Sequence, residues 1–140
     1  MGILDFASSV FAGEAAPARK PRVQVVFVRP EDDRYWMSWP GASYDVQARQ
    51  AEYTKTLVEA AKKLGVDLEV RPLPLDDGEG IAAFIEQTSK SPPDGIFVSV
   101  MHLKSWPQTE YLVKNRGSAA TVVFSPLGTS FAKQLQSVRS

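Results

Sequence analysis

Short apolar runs alternate with longer amphipathic stretches along most of this chain. Arg22–Val28 (RVQVVFV) is a continuous apolar run of strand length, the pattern of a strand buried on both faces. Residues 29–43 (RPEDDRYWMSWPGAS) hold two prolines and a glycine without periodicity, which predicts a long loop. From 44 to 64, Val46, Tyr53, Leu57, Ala60 and Leu64 fall on one helical face, and Gly65 stands where a left-handed cap is wanted. Residues 67–73 (DLEVRPL) read as a second strand, and Pro72 places it at an edge because proline cannot donate to a central ladder.

A second helix follows, with Asp76 or Asp77 as its cap, Ile81, Phe84, Ile85 and Thr88 as its apolar face, and Pro92 and Pro93 as its stop. Gly95–Val100 (GIFVSV) is a third strand of the fully buried type. Ser105 and Gln108 then have capping-box spacing around Pro107, predicting a helix that runs to about Arg116 and ends at Gly117. Residues 119–124 (AATVVF) are the fourth strand, 125–130 a loop, and Phe131, Leu135 and Val138 suit a last short helix. Right-handed crossovers between such strands give an α/β three-layer αβα sandwich. Its four-stranded parallel sheet has the order 2-1-3-4, a flavodoxin-like or Rossmann-like half.

Composition narrows what such a domain does. At 140 residues, 44% apolar and 23% charged, the chain supports one core but not two, so 21–140 reads as a single domain and one part of a longer multidomain protein. Sixteen basic and sixteen acidic residues leave no net field to hold a phosphate backbone or an acidic membrane, so neither nucleic acid nor membrane is an expected partner. The absence of cysteine excludes disulfides, thiolate metal sites and cysteine nucleophiles. Residues 1–20 lack the basic start and long apolar centre of a secretory signal, and read as a disordered tail or the remnant of an export signal. The chain is expected to be soluble, and cytoplasmic as written, with export as the alternative.

Ligands of open parallel sheets bind beyond the carboxyl ends of the strands, where strand order reverses. Here that point lies between the first and third strands. The loops that follow them, with the first turn of the next helix, hold all three tryptophans, Trp36, Trp39 and Trp106, and the only histidine, His102, with Arg29, Asp32, Asp33 and Lys104. Aromatic faces beside carboxylates suit a sugar, whose C–H faces stack while its hydroxyls hydrogen-bond. The same residues also fit blander roles: tryptophans that cap a sheet or dock a domain, a structural histidine, a solvated acidic run. No G-x-G-x-x-G, Walker loop or G-x-S-x-G elbow is present, and Val100 and Met101 stand where a phospho-acceptor would need a carboxylate.

The segments 48–64 (ARQAEYTKTLVEAAKKL), 93–102 (PDGIFVSVMH) and 121–128 (TVVFSPLG) together resemble the N-terminal domain of the L-fucose/L-arabinose isomerase-like proteins, over about 100 residues from Arg22 on. The resemblance implies a carbohydrate-handling domain that supplies substrate or inter-subunit contacts. It implies sugar isomerase activity only within a longer protein, because the family's metal-binding carboxylates and histidine come mainly from later domains. No cofactor or metal is therefore expected in this chain, and a divalent metal only with those domains. A similar first lobe occurs in sugar-binding periplasmic proteins, and a stand-alone flavodoxin-like binding domain is a third reading. The uncharged strand 119–124 invites pairing at a bare edge, so a homo-oligomer or a second domain is expected to cover it.

Overall fold

A computed structural model describes residues 19–31, 34–36, 43–126 and 136. In chain order its elements are β1 (Arg22–Val28), β2 (Arg34–Trp36), β3 (Ser43–Asp45), α1 (Val46–Leu64), β4 (Asp67–Val70), α2 (Gly78–Lys90), β5 (Gly95–Val100), a 3-10 turn (Leu103–Ser105), α3 (Trp106–Lys114) and β6 (Ala120–Phe124). Of the expected last helix over 131–138 only residue 136 is described, and it is helical; of the expected tail over 1–20 only Arg19 and Lys20 are described.

The main sheet has the order β4-β1-β5-β6 with every pair parallel, so the 2-1-3-4 sandwich expected from the sequence is the fold. Its two faces carry separate cores. Val26 and Val28 of β1, with Ile96, Val98 and Val100 of β5, meet Ile81 and Phe84 of α2 and Leu112 of α3. Val25 and Phe27 face the other way, towards Val46, Tyr53 and Leu57 of α1. The side chains from Val25 through Val28 have no exposed surface, which is why β1 and β5 read as unbroken apolar runs. Each such side chain withdrawn from water contributes roughly 1.5–3 kcal/mol.

Local signals fix the helix ends. The Asp45 carboxylate accepts from Ala48 N at 2.9 Å, and Gly65 closes α1 with φ 68°, a left-handed conformation in which a side chain would be strained. Asp77 is the cap of α2, accepting from Gly80 N at 2.8 Å.

Several expectations need correction. The loop over 29–43 contains β2 and leads into β3, an antiparallel pair of three-residue strands too brief to show alternation, and the helix expected from 44 begins only at Val46. The second strand ends at Val70, and the chain rejoins the sheet only through a bridge between Leu75 and Val28. The α1 stripe runs through Val46, Gln50, Tyr53, Leu57 and Ala61, while Ala60 and Leu64 face solvent. Ser105 makes no side-chain cap, and Gln108 reaches across to the carbonyl of Asp76 at 3.2 Å instead of back along its helix. Among the described residues no helix is long and apolar enough to cross a membrane.

Candidate functional site

The carboxyl ends of β1 and β5 lie side by side, joined by the hydrogen bond from Met101 N to Val28 O at 3.1 Å. From this point the chain moves outward to β4 on one side and to β6 on the other, so the order of strands reverses here. Arg29 and His102 are the residues that leave the two strands.

Arg29 is not a surface group, as its side chain is 1% exposed. Its Nε donates to Gln50 Oε1 at 2.8 Å and its Nη1 to the Pro30 carbonyl at 2.7 Å. Gln50 in turn donates to the Pro72 carbonyl at 3.1 Å, and Arg29 N to the Leu75 carbonyl at 3.1 Å. A buried guanidinium is tolerated only when its donors are met, and these bonds tie β1, α1 and the segment after β4 into one rigid end. Arg29, expected as a ligand contact, is placed by these bonds in the framework of this end of the sheet.

His102 is 8% exposed. Its Nδ1 accepts from Lys104 N at 3.1 Å and so caps the 3-10 turn. An accepting Nδ1 leaves the proton of the neutral ring on Nε2. Lys104 itself is exposed at the same end of the sheet.

Trp106 departs further from expectation. It begins α3 and belongs to the same buried cluster as Val28, Val100 and Leu112, with 8% exposure. The indole therefore packs the core under α3 and offers no open face for stacking. Trp36 lies in β2, opposite Ser43 of β3, and Trp39, Asp32 and Asp33 lie outside the described residues. The structure thus brings Arg29, His102, Lys104 and Trp106 to one end of the sheet and leaves only Lys104 of these four well exposed.

The sequence reading overlooked the role of Asp76. With Asp77 serving as the helix cap, the Asp76 carboxylate accepts from Glu31 N at 3.1 Å while its carbonyl accepts from Gln108 Nε2. One residue so links the loop after β1, the segment after β4 and the first turns of α3. The adjacent pair Asp76-Asp77 was the signal, since one helix start needs only one capping carboxylate. Among the described residues, no three or more His, Asp or Glu side chains are grouped to hold a metal ion.

No protein-family model, no curated protein and no solved structure matches this chain.

Proposed function

We propose that this chain is a carbohydrate-handling α/β domain that presents its switch-point rim to a sugar as one part of a larger site, in the manner of the contact domain of a sugar isomerase. The observation that supports this reading is the pair of neighbouring strand ends at Val28 and Val100, with His102, Lys104, Glu31 and Asp76 around them. A rim of that kind supplies hydrogen-bond donors and acceptors of both charges without a deep apolar enclosure. Hydroxyl groups, which both donate and accept, are its natural complement.

The reading assigns no catalytic step to the chain. Arg29 and Gln50 keep the rim rigid, His102 holds the 3-10 turn, and the reacting groups of any isomerisation would come from another domain. The same proposal has a second subunit or a further domain covering the outer edge of β6.

An open half-site leaves much of a ligand in water, so affinity should be low. Titration of the tryptophan fluorescence with pentoses and hexoses should give a saturable change with a Kd well above about 10 μM. The His102→Ala variant should weaken that response while keeping the far-ultraviolet circular dichroism of the parent. A response absent with every sugar, or unchanged in the variant, would remove the reading.

A further inference from the structure

Away from the switch point, a cleft of about 320 Å³ opens between the β4 edge and α2, lined in part by Gln24, Glu69, Arg71, Pro72, Phe84 and Gln87. That volume is at the lower end of the range for small-molecule sites. Gln24 and Glu69 are register partners on β1 and β4, so their side chains share the α2 face of the sheet. Arg71 follows two residues later on the same face.

The polar groups of this cleft are only half satisfied. Gln24, 6% exposed, donates through Nε2 to Glu69 Oε2 at 3.1 Å, yet its Oε1 is shielded from water and meets no protein donor. The Nε of Arg71 is likewise buried without an acceptor. The guanidinium of Arg71 sits over the Phe84 ring, 5.9 Å from its centroid. Stacking on a ring leaves the in-plane N–H groups of a guanidinium available for a planar acceptor. Neither Glu69 nor Arg71 forms an ion pair with another described residue.

An orphan acceptor beside a carboxylate, and an orphan donor on a guanidinium, call for a ligand that brings both a donor and an acceptor. The two charges cancel, so the cleft has no net field to favour a simple anion or cation. Charge-assisted bonds are about twice as strong as neutral ones, which favours opposite charges on the ligand over neutral hydroxyls. We propose that this cleft binds a small zwitterion of the free α-amino acid class, its carboxylate on Arg71 and its ammonium between Glu69 and Gln24 Oε1. The proposal stands on the cleft alone and is independent of the sugar reading.

Nitrogen-edited NMR of the full chain, titrated with L-leucine, tests it. Saturable shifts of the Arg71 Nε–H and the Gln24 side-chain amide are expected, with a Kd on the order of 1 mM. Acetate, methylammonium and D-glucose should each bind at least roughly tenfold more weakly, since each offers only part of the charge-assisted set. Arg71→Met should abolish the shifts and Glu69→Gln should weaken leucine to the level of acetate, both with an unchanged thermal midpoint. Acetate equal to leucine would make the cleft a plain anion site. Glucose alone shifting the same resonances would make it a polyol site, and no shift from any probe would mean that the cleft takes no ligand of this class. Any of these results, or leucine shifts that survive in both variants, overturns the proposal.

Discussion

Strand β4 carries Asp67 and Glu69, with Arg71 and Pro72 just past its end, whereas β6 at the opposite edge reads ATVVF without a charge or a proline. Both are four- or five-residue strands that pair on one side only among the described residues. Charges and a proline discourage a foreign strand from adding to the β4 edge. On the α2 face, Phe84 at 3% exposure also roofs this side of the sheet. The β6 side differs, since Val122 is 58% and Phe124 37% exposed. Among the described residues the Phe124 ring meets Tyr53 edge-on at 5.4 Å and Phe97 at a tilt at 6.0 Å between ring centroids. One edge therefore carries charges and a proline of its own, and the other leaves apolar side chains exposed.

The largest expected effect separates the two roofs. Phe84→Ala should cost about 3–5 kcal/mol, because it removes a nearly buried ring from the core cluster and from beneath Arg71. Phe124→Ala, at a half-open position, should cost only about 1 kcal/mol, the common size for a point substitution. Urea unfolding of both variants makes the comparison. Equal losses would show that β6 is packed as firmly as the β4 side, and the contrast would disappear.

A charge placed on the open edge should act on association more than on folding. Val122→Lys puts an ammonium on the exposed β6 face, and its effect on unfolding should stay within about 0.5 kcal/mol, as for other surface sites. Light scattering should show the parent associating at micromolar concentration and the variant at the 15.4 kDa of one chain. A parent that is itself monomeric would mean that no second copy covers β6. Glu69→Leu at the other edge should have the opposite effect, raising the apparent mass by removing a charge that blunts β4.

The contrast between edges was largely legible in the sequence, because Pro72 and the charges of 67–71 mark one strand and 119–124 lacks both. Strands β1 and β5 were legible for a simpler reason, as burial on both faces leaves mostly apolar residues. Trp106 was not. An aromatic residue beside a histidine in a post-strand turn looks like a ligand platform, and only the three-dimensional position of α3 turns it into the core. Arg29 misled in the same way, since a charge at a strand end normally implies solvent, whereas its side chain is buried and bonded to Gln50 on the inner stripe of α1. The cleft had one readable sign, the polar Gln24 among the apolar residues of 23–28. Its meaning required the register that pairs it with Glu69.

The smallest effect concerns how the two edges are anchored at the amino ends of the strands. Asp67 N donates to the Pro21 carbonyl at 2.9 Å on the β4 side, and Ala120 N to the Asp94 carbonyl at 3.0 Å on the β6 side. In the second anchor the accepting residue, Asp94, also holds a side-chain carboxylate in a hydrogen-bonded setting. The Asp94 carboxylate accepts from Arg22 N at 2.8 Å and from both Nη atoms of Arg19 at 2.9 and 2.7 Å. The Arg22 backbone N–H first, and then the Arg19 guanidinium, hold its pKa below the ordinary carboxylate value. A carboxyl group depressed by folding stabilises the fold at pH values above its unfolded pKa and loses that contribution as pH falls through the lower folded value. Stability from this group should thus be level from neutrality to about pH 5 and decline below about pH 4. Arg19 is 74% exposed at its side chain, so solvent screening keeps the effect small. Hydrogen exchange, corrected for its intrinsic pH dependence, should show Ala120 N losing protection before Asp67 N as the solution is acidified. Asp94→Asn should flatten that difference, since the amide keeps the shape but cannot titrate. If both amides lose protection together, or the variant behaves as the parent does, the carboxylate does not anchor the β6 side and the two edges share one fate in acid.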